Sequence, residues 1–337
     1  MRLFLTGATG YIGTALCRRL RTDGHEVRAL VRATSAVAQL EAIGVATFAG
    51  DVRDRASMRE GMSGADWVIH AAAELDLNAA DDRMTGANVE GSENVASLAA
   101  KLGVGRLLSI SSIAVFGGSP QDGSPASESS PPVLPLPTRY SATKAAGEER
   151  IQQWARQGLK INTVFPSLVY GPPGKKQGAN ILLRALMLGR FPALIAPENQ
   201  ASWVFLDDLV DGILRVVEQA PPGRGYLLSG ESWSVRRLAH RVAELAGTKP
   251  PRRELSVPTA KLLFRLAGPF LKLAGRPLPV PLEQLDSLHR NWNFDDSRAR
   301  QELGWHPRGL EEGLAMTIEY LRRQEASTKG SRREEIR

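Results

Sequence analysis

The tightest constraint on this chain is Leu3-Phe-Leu-Thr-Gly7-Ala-Thr-Gly10-Tyr-Ile-Gly13, a short apolar run that enters three glycines spaced G-x-x-G-x-x-G. An amphipathic pattern follows, with Ile12, Ala15, Leu16 and Leu20 on one helical face and Arg18, Arg19 and Arg21 opposite. Strand, glycine turn and helix in that order predict a phosphate cradle. Glycine permits the tight turn and lets backbone N–H groups approach a pyrophosphate, and the helix N-terminus supplies partial positive charge. A dinucleotide is the expected ligand, held by Gly7, Thr9, Gly10, Tyr11, Ile12 and Gly13.

Composition narrows what can be built on that start. The 337 residues suffice for one large or two smaller domains, and 42% apolar with 23% charged residues describes an ordinary globular protein. There is no run of about 18 apolar residues to span a membrane, and a strand beginning at Arg2 leaves no room for a signal peptide, so the cytoplasm is the expected location. A lone Cys17 on the first helix cannot close an internal disulfide, and no metal site is expected. The net charge of +7 is scattered over helix faces without an aromatic-interleaved basic cluster, which argues against nucleic acid as a partner.

Along the chain, apolar strands alternate with helical patterns. His25-Glu-Val-Arg-Ala-Leu-Val31 reads as the second strand, with Arg32 just past its end. Val45-Ala-Thr-Phe-Ala-Gly-Asp51-Val52 reads as the third, with Asp51 placed to cap a helix that starts near Arg55. Trp67-Val-Ile-His70 is the fourth, leaving through the small residues Ala71, Ala72 and Ala73. Asn88 opens a helix, and Arg106-Leu-Leu-Ser-Ile is the fifth strand, tipped by Ser111 and Ser112. Residues 118–137, rich in Ser, Pro and Gly, read as a loop over the site. Tyr140-Ser-Ala-Thr-Lys144 starts the next helix, and Lys160-Ile-Asn-Thr-Val-Phe165 is the sixth strand, leading into Pro166, Ser167 and Val169. This alternation predicts an α/β fold with a doubly wound parallel sheet.

Tyr140 and Lys144 stand one helical turn apart, so both can address one space. A nearby ammonium, together with an oxidised nicotinamide, favours the phenolate, which would make Tyr140 a switchable proton carrier; Ser112 or Ser111 would hold the substrate oxygen.

The glycine motif T-G-A-T-G-Y-I-G, the serine-tipped fifth strand and Y-x-x-x-K resemble the extended branch of the short-chain dehydrogenase/reductase superfamily, over residues 3–321. The resemblance implies a Rossmann-type sheet with a smaller, mostly helical C-terminal substrate lobe. It sets Asp51 and Val52 against the adenine, residues 71–73 and Pro166, Ser167 and Val169 along the cofactor, and Asn88 behind the catalytic lysine; counting back from Val115-Phe116-Gly117 favours Ser112 as the active hydroxyl. It also implies a homodimer built partly from the helix bearing Tyr140. In this fold an acid after the second strand binds the ribose of NAD, whereas an arginine accommodates the extra phosphate of NADP, so Arg32 favours NADP with NAD as the alternative. The expected division is 1–173 for the dinucleotide with a return segment near 203–228, then 174–202 and 229–324 for substrate, and a disordered tail over 325–337.

Departures from the subfamilies point to the substrate. Ser112-Ile113-Ala114 replaces the T-D-E of sugar-nucleotide dehydratases, and Ala201 stands where epimerases usually carry a phosphate-binding arginine before Asp208. The apolar stretch 261–275, broken at Gly268-Pro269, reads as a core helix, a lid over an apolar substrate or a peripheral membrane element. These features look most like the 3β-hydroxysteroid dehydrogenase and dihydroflavonol reductase-like members, which oxidise secondary alcohols or reduce ketones; in sterol-type members the product can be a decarboxylating 4-carboxysterol ketone. The alternatives are an epimerase acting on nucleotide sugars and a non-catalytic nucleotide sensor or scaffold.

Overall fold

The computed structural model describes residues 1–174, 177–273 and 282–334. Seven parallel strands form the main sheet: β1 (Arg2–Thr6), β2 (Glu26–Val31), β3 (Ala46–Ala49), β4 (Trp67–His70), β5 (Arg106–Ile110), β6 (Ile161–Pro166) and, after a long excursion, β10 (Gly225–Leu228). Their order is β3-β2-β1-β4-β5-β6-β10, so the winding reverses between β1 and β4. Strands of such a sheet are buried on both sides, which is why β1 reads as an unbroken apolar run. Leu3 and Leu5 enter the core with Leu16 and Leu20 of helix Tyr11–Thr22 and Ile213 of helix Leu206–Gln219, while Phe4 enters the opposite core with Met58, Val95 and Ile151.

Between β6 and β10 the chain builds β7 (Leu168–Tyr170), β8 (Ala193–Ile195) and β9 (Gln200–Phe205). β9 lies between β7 and β11 (Glu231–Ser234) in a small sheet, and β8 pairs with β12 (Arg253–Leu255). Tyr170, Trp203, Phe205 and Trp233 make a third core with helices Asn180–Met187, Val235–Ala246 and Leu310–Glu334. The lobe is pinned back on the sheet by Arg308, whose guanidinium and backbone N–H both donate to the carboxylate of Asp208, with Nε and N each 2.9 Å from Oδ2.

Two expectations for the C-terminal half change. Helix Val257–Leu273 continues through Gly268 and Pro269 instead of breaking there; a proline costs one intrahelical bond, and turns on both sides carry the helix across it. Its face bearing Leu262, Leu263 and Leu266 is 58%, 47% and 62% exposed while Val257 and Ala260 are buried, so over 257–267 one face only meets the core, and positions 274 and 275 of that stretch lie outside the described residues. The segment from 325, expected as a tail, extends helix Leu310–Glu334, because Leu310, Leu314, Ile318 and Leu321 bury its start and Arg184 pairs with Glu325 at 2.6 Å. Among the described residues no helix is long and apolar enough to cross a membrane.

Candidate active site

Since all seven strands run the same way, the loops after β2, β1, β4, β5 and β6 leave from one edge. Arg32, residues 7–13, 71–73, 111–112 and 166–167 therefore follow one line across the point where the winding reverses, the place where such sheets take their ligands. β2 and β5 are three strand spacings apart, about 14 Å at the usual separation.

The glycine loop is closed tightly. Gly7 has φ +74°, and a Cβ there would lie 2.6 Å from the Ala71 carbonyl carbon; a Cβ on Gly13 would lie 2.1 Å from the Gly7 oxygen. Gly10 donates to that same oxygen at 3.0 Å and caps helix Tyr11–Thr22 without a side-chain acceptor, so the first-turn N–H groups are left to a ligand or water. Thr9 and Gly10 are exposed at the rim. Tyr11 contributes backbone only: its hydroxyl donates to the Gly171 carbonyl and accepts from Asn180 Nδ2 at 3.3 Å, and burial raises its phenol. These groups fit the pyrophosphate of a dinucleotide.

At the β2–β3 end, Arg32 is exposed and adds positive potential to Asp51, whose carboxyl is held low chiefly by hydrogen bonds from Arg53. Asp51 accepts the Arg53 backbone N–H at 2.9 Å and its guanidinium at 2.9 and 3.0 Å, while Asp54, not Asp51, accepts Ala56 N at the start of the next helical turn. The helix-cap reading of Asp51 is thus corrected, because the nearer arginine takes the carboxylate. Val52 is buried, and its carbonyl accepts Asn94 Nδ2 at 3.0 Å.

At the centre, Ala71 and Ala72 donate to the Thr6 carbonyl and hydroxyl at 3.2 and 3.3 Å, which draws them over Gly7; Ala73 follows, half-buried. Asn88 is buried in a turn ahead of helix Gly91–Lys101 and does not cap it. Its side chain exchanges hydrogen bonds with Glu74 (2.8 and 3.0 Å) and donates to Thr143 Oγ1 at 3.0 Å, tying the loop after β4 to the residue preceding Lys144. Ser167 spends its hydroxyl on the Ser229 carbonyl at 2.7 Å, Pro166 closes β6, and Val169 is buried in β7.

Helix Arg139–Arg156 begins where Thr138 Oγ1 accepts Ser141 N at 3.0 Å, which places Tyr140 in its first turn. Lys144 is buried one turn on and donates to the Ile110 carbonyl at 3.2 Å, at the tip of β5. Ser112 follows that tip, accepts Ala114 N at 3.1 Å and lies close enough to the Tyr140 phenol to pull its pKa down against burial. Ser111 instead donates its N–H to Val164, and its buried Oγ has no partner among the described residues. Ser112, Tyr140 and Lys144 are brought together, and no hydrogen bond among the described residues joins the Ser111 hydroxyl to them. Lys144 by itself does not lower the Tyr140 pKa: burial raises the phenol, with Ser112 opposing, and burial likewise lowers Lys144, with Glu148 opposing. Loss of water disfavours both charged forms.

Residues 118–137 are stitched to 290–294 by Ser119 N to Asn291 O at 2.7 Å, Ala126 N to Asn293 O at 2.9 Å and Arg290 to the Val133 carbonyl at 2.7 Å. Arg139 holds the mouth, donating to the Leu77 carbonyl, Asp81 and Glu283. Sequence reasoning missed these clamps, since their partners are distant in the chain. It also missed His70, buried between Thr6 Oγ1 (2.8 Å) and Ser92 Oγ (3.1 Å) and pushed down to about 3 by burial, then by the Lys144 charge. A polar residue inside an apolar strand was the available signal.

A model of the NAD dependent epimerase/dehydratase family matches residues 3–228. Sterol demethylase protein B of Methylococcus capsulatus is 29% identical over 96% of this chain and 98% of its own. A 4-hydroxy-2-methyl-3-oxo-4-farnesyl-3,4-dihydroquinoline-1-oxide ketoreductase of Stigmatella aurantiaca is 30% identical over 92% and 95%. The UDP-glucose 4-epimerase of Thermotoga maritima, solved with UDP-glucose, shares the fold at a TM-score of 0.77 and 21% identity, over 96% of this chain and 99% of that one.

Proposed function

This chain belongs to the NAD dependent epimerase/dehydratase family, and on that premise we propose that it interconverts a ketone and a secondary alcohol on a bulky apolar molecule. The observation that carries the reading is the grouping of Ser112, Tyr140 and Lys144 at the tip of β5. A nicotinamide nucleotide lying along the strand edge would supply or accept the hydride. Tyr140 hands a proton to the ketone oxygen, or takes it back from the alcohol, while Ser112 fixes that oxygen by a hydrogen bond.

Two features support an apolar substrate. Ala201 offers no charge to a nucleotide diphosphate, which would forgo a contact of about 1.5–3 kcal/mol. Helix Val257–Leu273 carries exposed leucines and packs on helix Leu282–Leu288, whose Glu283 accepts the backbone N–H of Arg139 at 3.0 Å beside Tyr140. The names of the sterol demethylase and the farnesylated-quinoline ketoreductase lean the same way, and a 3-hydroxy-4-carboxysterol is one substrate of this class. Thermal shifts and hydride transfer measured with 3-oxo and 3-hydroxy sterols against UDP-sugars, each with NADP or NAD, test it. Sterols should stabilise the protein and turn over; stabilisation by a UDP-sugar alone would replace this reading with epimerisation.

For the coenzyme we propose NADP, on the exposed cation after β2. Arg32→Ala should weaken NADP binding by about 10- to 100-fold, the value of a charge-assisted contact, and leave NAD nearly unaltered. Equal loss for both nucleotides removes the phosphate role.

A further inference from the structure

One turn beyond Lys144 on the same helix stands Glu148, a half-buried carboxylate that faces the sheet. Three uncharged donors hold it: Ser109 Oγ of β5 at 3.0 Å, Thr163 Oγ1 of β6 at 2.8 Å and Gln152 Nε2 at 2.8 Å. Ser109 and Thr163 are themselves register partners, so two strands fix the carboxylate from below and the helix fixes it from above. Uncharged donors stabilise an anion without cancelling it, so its field remains for a neighbouring cation. The neighbour is Lys144, buried and given, among the described residues, one backbone carbonyl at 3.2 Å, an arrangement that by itself leaves an ammonium costly.

We propose that Glu148 is a positioning residue that keeps Lys144 charged beneath Tyr140, a role that rests on the catalytic reading above. The groups facing Lys144 are consistent with it. From β4 comes His70, which is neutral and adds no charge; from its own helix come Tyr140, protonated, and Glu148; from β5 comes the uncharged Ile110 carbonyl. Glu148 is the group that opposes the loss of the Lys144 proton. The Tyr140, Lys144 and Glu148 side chains thus form a ladder along one helical face, proton carrier, cation and anion, each one turn from the next.

The test is a titration of Lys144 by nitrogen-15 NMR of lysine side chains in the wild type, Glu148→Gln and Glu148→Asp, with melting temperatures recorded alongside. Glu148→Gln should lower the Lys144 midpoint by about one pH unit or more, and Glu148→Asp, which keeps the charge, should restore most of it. The alkaline limb of the hydride-transfer profile should move to lower pH with the Gln variant while the nucleotide KM changes little. A Lys144 midpoint unchanged in Glu148→Gln overturns the assignment, as does equal damage from Gln and Asp. Glu148→Met, of similar length, is read in the same way should the Gln variant not fold. The titration needs no turnover, so a wild type without hydride transfer would sink the enzymatic reading and still leave Glu148 decided.

Discussion

Tyr140→Phe should abolish most hydride transfer, with turnover falling about 10²–10⁴-fold, the usual worth of a positioned proton donor. Nucleotide affinity should hold, because the phosphate cradle lies in the loop after β1 and the variant keeps the ring. The fold should also hold, since no backbone hydrogen bond among the described residues depends on the Tyr140 hydroxyl and Ser112 keeps the Ala114 N–H. The pH dependence of the wild type follows from the raised phenol. Ketone reduction consumes the protonated form, so its rate should stay level through neutrality and fall only above the ordinary tyrosine value of about 10. Alcohol oxidation needs the phenolate and should climb with pH over that range. Initial rates in both directions across pH, with nucleotide binding measured separately, decide the matter; unchanged turnover in the Phe variant would remove Tyr140 from the chemistry.

The second large effect is expected at Gly13→Ala. The added Cβ would stand 2.1 Å from the Gly7 oxygen and 2.8 Å from the Ala8 Cα, both backbone atoms that cannot swing aside as a side chain would. Loop and helix must separate, which displaces the first-turn N–H groups and strains the Gly10-to-Gly7 hydrogen bond of 3.0 Å. Overpacking of this kind costs about 1–3 kcal/mol, so nucleotide affinity should fall roughly 10- to 100-fold. Calorimetric titration with NADP and NAD measures it. Retained affinity would mean that the loop is not the phosphate site. Together the two variants separate the halves of the site, since one removes chemistry with binding intact and the other removes binding.

The glycine spacing, the serine-tipped β5 and the Tyr140–Lys144 pair are local, because each depends on neighbours in the chain or one helical turn away, and they were legible from residues 3–13, 106–112 and 140–144. The ladder's third member, Glu148, sits at the same spacing yet gave no signal, because a glutamate on a helix is ordinarily a solvated one; only β5 and β6 arriving beneath it supply the donors. The choice between Ser111 and Ser112 was open for a similar reason: adjacent residues of a strand point to opposite faces, and which face meets the catalytic helix depends on how that helix crosses the sheet.

Sequence alone therefore determined the order of the first six strands and the helices between them, the glycine loop and the residue types available for proton transfer, since periodicity and glycine geometry act over short stretches of chain. The tertiary structure decided the rest. It assigned Asp51 to Arg53, closed residues 118–137 against 290–294 and carried helix Leu310–Glu334 past its expected end. It also set the direction at Tyr140, where burial raises the phenol and outweighs the opposing effect of Ser112. Desolvation and long-range pairing depend on which surfaces meet after folding, and no spacing along the chain encodes their balance.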